Sequence, residues 1–597
     1  MISIFAILLL WIAFGERFGI PIPGKTYFAS KIIDGGDLTL LPPISTPSEA
    51  KELPLPSNEI VGKGTPITEL DMNWNAQLSR HEANGGLRTT KGSLIAKRGV
   101  DLTIKPQNDT EKMKEALMIT ANAYAPLLRS GHGEANPQLE NGANLVIIMG
   151  DGAAAFVTGL QKNLDKIGLH VQIVAGTGGR SNEEDAFMIP PEWVLNPELA
   201  RGGLASVYPL DGDQNLIFQW CRFHKIPINT NGKYFDNNAL NILETNDFVE
   251  AGNAYIKGTT ETRPEIANGK PVGGPPITKT VNCTATWTPK DVDIVTKKGG
   301  LVKAQSTKDS WQMPATVVGI KEFNDNHRKA IKGILAATFE ASDQIRKFDK
   351  AFYHAAGVSA KIYGAETADY WASFARGKVL TDSQGNKVRC GGSASLNLAE
   401  NLYMYGLLPD QRTDQYAITY NTFAKYQKEA YPTRLEAPLK YEDVIDKSYL
   451  LEIASENQAA STINSATDVN TFTKSSEVKE VVAKGSWDNI RFRSGSADIL
   501  PESEPVLNEI ANLLSLNKQY VIITGHTDSD GNADANTILG QRRADAVGAY
   551  FTRKFPGLFS NNRITTKSKG ASEPIVPNNI AGGKAKNRRV VIELVNR

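Results

Sequence analysis

The sequence predicts an α/β protein, a large body followed by a smaller C-terminal sandwich, and three observations carry that prediction. Residues 144–149 are a buried-strand run, apolar from Leu145, closed by Gly150-Asp151-Gly152, and helix-patterned 153–164 and a second strand run, 170–175, follow. Strand, glycine turn, helix, strand is the grammar of an α/β domain with a largely parallel sheet. At the other end of the chain, apolar periodicity switches between strand and helix in the order βαβαββ. Between the two, residues 453–484 are small and polar, the composition of a linker.

Taken in order, residues 1–20 open with an apolar run, 2–14, broken only by Ser3. At ~1.5 Å per helical residue this run is shorter than the ~30 Å hydrocarbon core, the length of a signal-peptide h-region. Ala13-Phe14-Gly15 offers a cleavage site, although no Lys or Arg precedes the run. Continued through Phe18-Gly19-Ile20, with Glu16 and Arg17 snorkelling, it becomes an uncleaved membrane anchor. Either way the rest of the chain is exported to the cell envelope, and the anchor is the reading adopted. Residues 21–64 are rich in Pro and Gly and form a tether. In the body, 65–452, a first strand is expected at 68–73, and long helices at 324–347 and 350–375 are placed as return helices of a second lobe. In the last domain, 485–597, strands are expected at 487–492, 520–524, 563–569 and 589–594, and helices at 502–516 and 534–551.

Composition narrows the function. At 597 residues the chain exceeds the ~100–200 residues of one domain, and 41% hydrophobic with 22% charged residues supports large cores. A net charge of +1 excludes general attraction to nucleic acid. Cys221, Cys283 and Cys390 are far apart with no CxxC, leaving room for one disulfide and one thiol but no zinc site. The histidines show no HExxH or His-x-His pair, so neither metal nor cofactor is expected. No Gly-x-Ser-x-Gly and no cysteine with an attendant histidine is present, and the Gly-x-Gly-Gly at 176–179 falls short of a dinucleotide fingerprint. No catalytic residue is assigned, and the chain reads as a non-enzyme.

The strongest motif is Gly525-His526-Thr527-Asp528, with Arg543 fifteen residues on and Asn587-Arg588-Arg589-Val590 near the end. Arg543 lies four residues after Leu539 and four before Val547, on the expected inward stripe, where a guanidinium needs an acceptor. Asp528 is the natural partner. Two readings follow: an Asp528–Arg543 staple between loop and helix, or a pocket in which Asp528 takes a ligand ammonium and Arg543 its carboxylate. With Phe492, Gly495-Ser496-Ala497, Asn536, Leu539, Gly570 and Pro574, this pattern resembles the OmpA-like domain over roughly 110 residues. The resemblance implies peptidoglycan as partner, with Asp528 and Arg543 holding the diaminopimelate of the stem peptide and Thr527, Asn536 and Leu539 at the same site. Arg493 departs from the Asp or Asn that many members place beside the first strand.

The body carries loops suited to a small solute: Trp74-Asn75, Gly150-Asp151-Gly152, Gly176 to Ser181, Trp287 and Ser306-Thr307. Helix N-termini and backbone nests bind oxyanions, and open α/β sheets bind ligands at strand carboxyl ends. Asp151 alternatively caps its own helix. Residues 65–450 resemble the type II periplasmic solute-binding proteins of ABC importers, in the subgroup fused to an OmpA-like domain and described as phosphate-type. That resemblance implies two lobes closing at two crossovers over a small anionic solute, delivered to an ABC permease. Trp74, Asn75, Asp151, Gly152, Thr177, Arg180, Ser181, Trp287, Ser306 and Thr307 are the candidate solute contacts. The rival reading is a structural or stator-like envelope protein whose central domain is a scaffold.

Overall fold

The computed structural model describes residues 53–456 and 480–596, apart from 268, 309, 409–411, 488, 494 and 560–561. The N-terminal apolar run, most of the tether and most of the linker lie outside these residues. The protein is α/β throughout, in two lobes and a C-terminal sandwich.

The apolar run after Asn144 forms strand Leu145–Met149, wholly buried, and a 3-10 turn, Gly150–Gly152, leads into helix Ala153–Leu164. The first strand is Thr65–Asp71, earlier than expected, because its parallel register with Val100–Pro106 begins at Thr65. The first lobe's sheet runs in the order 100–106, 65–71, 145–149, 315–320, 171–174, 445–446. The second lobe's sheet runs 302–306, 186–189, 283–286, 204–207, 240–244, 228–229. The chain passes from first to second lobe after Val174 and returns after Ser306. These crossovers lie side by side: Arg180 bridges Pro314, and Ser181 N donates to Met313 O at 3.1 Å.

The two long helices expected at 324–347 and 350–375 are four: Lys321–Asn326, Arg328–Lys347, Asp349–Tyr363 and Ala368–Ala375. His327 leaves helical geometry (φ −109°, ψ 24°), and Gly364 ends its helix in the left-handed region (φ 67°). All three cysteines are buried free thiols.

The C-terminal sheet runs Glu480–Trp487, Val590–Asn596, Tyr520–His526, Ile564–Gly570, giving the expected βαβαββ order. Its first strand ends at Trp487, where the expected strand begins, because its antiparallel partner starts at Val590. Helices Glu504–Ser515 and Ala533–Lys554 pack through Leu507, Ile510, Val547 and Phe551 onto Val521, Ile523 and Ile592.

Candidate functional site

Helix Ala533–Lys554 positions the C-terminal site. It buries Asn536, Gly540, Arg543, Ala544, Val547, Gly548 and Phe551, while Leu539, Ala546 and Tyr550 are only half-buried. The inward stripe is therefore turned from the one expected. The cause is a pair of glycines where helix meets strand: a Cβ on Gly525 would lie 2.0 Å from Gly540 O. Only two residues without side chains permit that approach.

One turn further on, Arg543 reaches the Phe492–Ser496 loop. Its Nε donates to Ser496 O at 3.2 Å and its guanidinium lies 5.0 Å from the centre of the Phe492 ring. Asp528 follows the strand, its loop pinned by Thr527 N donating to Gly570 O at 2.9 Å. The expected staple does not form. Asp528 Oδ2 instead accepts from Arg588 Nη1 at 2.6 Å, and its Oδ1 accepts from Asp530 N at 3.0 Å. Burial alone would raise the Asp528 pKa, but these hydrogen bonds and the Arg588 charge hold it below the usual value. Among the described residues no carboxylate pairs with Arg543. Burial and the nearby Arg588 charge lower its pKa, and Asp528 offsets part of that.

The remaining rim residues are less directly placed. Asn536 Nδ2 donates to Asp530 O at 2.9 Å, Thr527 Oγ1 to Asp528 O at 3.1 Å, and Leu539 flanks the stripe. Arg493 is exposed, 4.0 Å from Asp498. Arg588, which sequence reasoning left without a role, was visible as part of the terminal Asn-Arg-Arg-Val motif. The arrangement presents an ionised acid and a buried guanidinium that has no acid partner among the described residues.

Between the lobes, nine of the ten candidate solute residues are buried, at strand ends or on the crossovers. Ser306 is half-buried within its strand, where its hydroxyl accepts from Lys308 N at 3.3 Å. Donors expected to meet an oxyanion are engaged inside the protein. Ser181 Oγ and Thr307 Oγ1 bond each other at 2.6 Å, Thr177 Oγ1 donates to Gly179 O at 2.5 Å, and Arg180 Nη1 to Ser181 O at 2.6 Å. Trp287 stacks on Phe248 and donates from Nε1 to Asn73 O in the other lobe at 3.0 Å. Asp151 does not cap its helix; its Oδ1 accepts from Met313 N on the second crossover at 2.9 Å.

What these residues surround is a cluster of acids. Trp74 Nε1 donates to Asp185 Oδ2 at 3.1 Å and Asn75 Nδ2 to Glu184 Oε1 at 2.8 Å. Asp151, Glu184, Asp185, Asp211, Asp213 and Asp291 are all buried. Lys303 pairs with Asp291 at 3.2 Å, and that acid keeps the lysine's pKa raised against its burial. Burial first, and then mutual repulsion, raise the other acids: Asp185 to about 7, Asp151, Glu184 and Asp213 well above the usual range. Asp211 is pushed up by burial to about 6. Burial and mutual repulsion keep much of this cluster protonated near neutral pH, so it offers a solute both carboxyl hydroxyls and acceptor oxygens. Sequence reasoning singled out Asp151 alone; the signal it passed over was Glu184-Asp185 in the first crossover and Asp211-x-Asp213 after the strand Leu204–Val207.

Among the described residues no group of three or more His, Cys, Asp or Glu is arranged to hold a metal ion, and no helix is long and apolar enough to cross a membrane.

A sandwich with this strand order and this acid–guanidinium loop defines a small class of domain, and comparison assigns it. The OmpA family model matches residues 491–588. The peptidoglycan-associated lipoprotein of Pseudomonas putida is 31% identical over 127 residues, 21% of this chain and 75% of that protein. The peptidoglycan-associated lipoprotein of Buchnera aphidicola is 38% identical over 117 residues, 19% of this chain and 65% of that protein. Through its C-terminal domain the chain belongs to the OmpA family. It spans about half to two thirds of the length of the curated relatives it matches at 38–39% identity. Over 70% of the chain, the structure is also similar to the periplasmic nitrate-binding protein NrtA from Synechocystis PCC 6803, at 10% identity and a TM-score of 0.43, covering 94% of that chain.

Proposed function

We propose that the protein is a non-enzymatic solute receptor of the cell envelope, held on peptidoglycan by its C-terminal domain. The observation that carries the mooring is the division of labour between Arg588 and Arg543. Arg588 keeps Asp528 ionised, while Arg543 has no acid partner among the described residues. Such a pair is complementary to a zwitterion, the ammonium on Asp528 and the carboxylate on Arg543, and diaminopimelate in a stem peptide has both groups. The receptor half rests on two lobes that meet along their strand ends over one polar cleft, joined by two adjacent crossovers. Delivery of the solute to an ABC permease, and anchorage of the N-terminal segment in a membrane, complete this reading.

Pull-down of the full chain on isolated sacculi tests the mooring. Asp528→Ala and Arg543→Ala should each abolish retention, and retention at the original level in both would refute it. The direct bond from Trp287 to Asn73 across the lobes favours a second reading, a scaffold with a permanently shut cleft. Thermal-shift screening of the full chain against small solutes separates the two, since a scaffold responds to none.

A further inference from the structure

We propose that the interlobe cleft receives an organic cation, a primary ammonium or guanidinium compound; this deepens the receptor reading and rests on it. Four carboxyls converge from separate segments: Asp151 after the strand Leu145–Met149, Asp185 on the first crossover, Asp211 after the strand Leu204–Val207, and Asp213 in the first turn of helix Gly212–His224. Asp151 and Asp211 are brought close by Gly152, where a Cβ would lie 3.1 Å from both Asp211 Cα and Oδ1.

Their lone pairs are not used. Asp151 Oδ2, Asp185 Oδ1, Asp211 Oδ2 and both oxygens of Asp213 are buried and receive no donor from the described residues. Asp213 is wholly buried, and Asp185, Asp211 and Asp291 are the acids that act on it. Two side-chain amides add to the pattern. Asn75 and Asn215 direct their NH₂ groups to Glu184 and to Asp151 O, and their carbonyl oxygens are left without a donor. The unmet atoms of these carboxyl and amide side chains are therefore acceptors. Native interiors rarely leave several buried acceptors unmet, and a buried uncompensated charge is more costly still. A ligand rich in N–H donors meets these acceptors, and one carrying positive charge also favours the ionised form of the carboxyls around it.

Lys303 is held by Asp291 and by the Glu183 carbonyl at 2.5 Å, and Arg180 Nη1 lies on the carbonyls of Ser181 and Thr307. A cavity of about 350 Å³ opens beside the cluster, lined by Gly152, Phe156, Tyr208 and, of the four acids, Asp211 alone. The basic groups at its edge, Lys114 and Arg434, are already paired with Glu111 at 2.6 Å and Glu244 at 2.9 Å. That volume is ample for a small amine.

Titration calorimetry and thermal shift on the full chain test this, with 1,4-diaminobutane and agmatine as cationic probes and phosphate, nitrate and magnesium chloride beside them. At least one cationic probe should bind saturably and raise Tm, with no response to the anions. Asp213→Asn should weaken that binding about tenfold or more and leave the Tm of the unliganded protein at or above the wild-type value, since it replaces a buried acid by a neutral isostere. Absence of saturable binding by both cationic probes overturns the inference, as does binding of magnesium alone. If phosphate or nitrate binds in the same series, the receptor reading survives and only the cation assignment falls. If no probe binds and Asp213→Asn lowers Tm, the acids are structural and the receptor reading falls with it.

Discussion

Asp528 owes its charge to a residue sixty positions away. Arg588 donates to it at 2.6 Å, so truncating that guanidinium leaves a carboxylate partly desolvated and short of a hydrogen bond. In Arg588→Ala the Asp528 pKa should climb from below the usual carboxylate value, measured by carbon-13 titration of the side-chain carboxyl. An unchanged titration would show that another group holds the charge. Sacculus binding should weaken in the same variant, although Arg588 is the partner of Asp528 and not itself the proposed ligand contact. Trp287 is the other residue where one side chain does two jobs, packing against Phe248 and bridging the lobes. Trp287→Ala should destabilise by about 3–5 kcal/mol and Trp287→Phe by about 1 kcal/mol more than its lost area, in denaturant unfolding. Equal losses in both would mean that the cross-lobe hydrogen bond dominates the packing.

At the scale of elements, the glycine contact between strand Tyr520–His526 and helix Ala533–Lys554 sets where the site residues sit. A methyl on Gly525 would collide with Gly540 O, a backbone atom that moves only with its helix. Gly525→Ala should therefore cost about 1–3 kcal/mol of stability and reduce sacculus retention, because the helix carrying Arg543 has to shift. Wild-type retention in a folded Gly525→Ala protein would sever that link. The same contact explains what could be read in advance. Strand 145–149 and helix Ala153–Leu164 followed from local pattern, since burial on both faces and a 3.6-residue period leave direct marks in the chain. The inward face of helix Ala533–Lys554 did not, because it was fixed by two glycines that apolar periodicity ignores. The cleft acids escaped for a related reason. Asp151, Asp185, Asp211 and Asp213 are spread over more than sixty residues of sequence and become a cluster only when two sheets face each other. Breaks at His327 and Gly364 likewise left little mark in the sequence, because helix formers flank each of them.

Across the whole molecule, buried ionisable groups set how stability follows pH. Glu69 and Asp71, in the first lobe, are raised mainly by burial to about 8 and 7, and Asp185 and Asp211 to about 7 and 6. These carboxyls hold protons more tightly folded than unfolded, so their stabilisation is present at low pH and is lost as pH rises through those values. His81 acts in the opposite sense: burial lowers it to about 3, so it favours the folded state above its ordinary 6.5 and opposes folding below. His224 and His526, lowered to about 4, do the same. The unliganded protein should therefore gain more than about 1 kcal/mol as pH falls from about 8.5 to 6.5, with the gain checked below that by the histidines. Urea midpoints across the series measure it. A midpoint that stays flat or rises with pH in that interval would contradict the assignment.

The C-terminal domain is not a loose appendage. Gln312, on the second crossover, donates to Leu516 O at 3.0 Å; Ser310 bridges Asn517; and Lys518 lies 3.9 Å from the centre of the Trp311 ring. Glu509 reaches Lys425 at 2.7 Å and Arg222 at 3.1 Å, and Phe223 packs edge-on to Trp487. The segment that must flex for the lobes to part is thus riveted to the domain proposed to grip the wall. Tension on a wall-bound C-terminal domain would act on the hinge itself, so that mechanical load and the proposed solute capture would draw on the same few bonds.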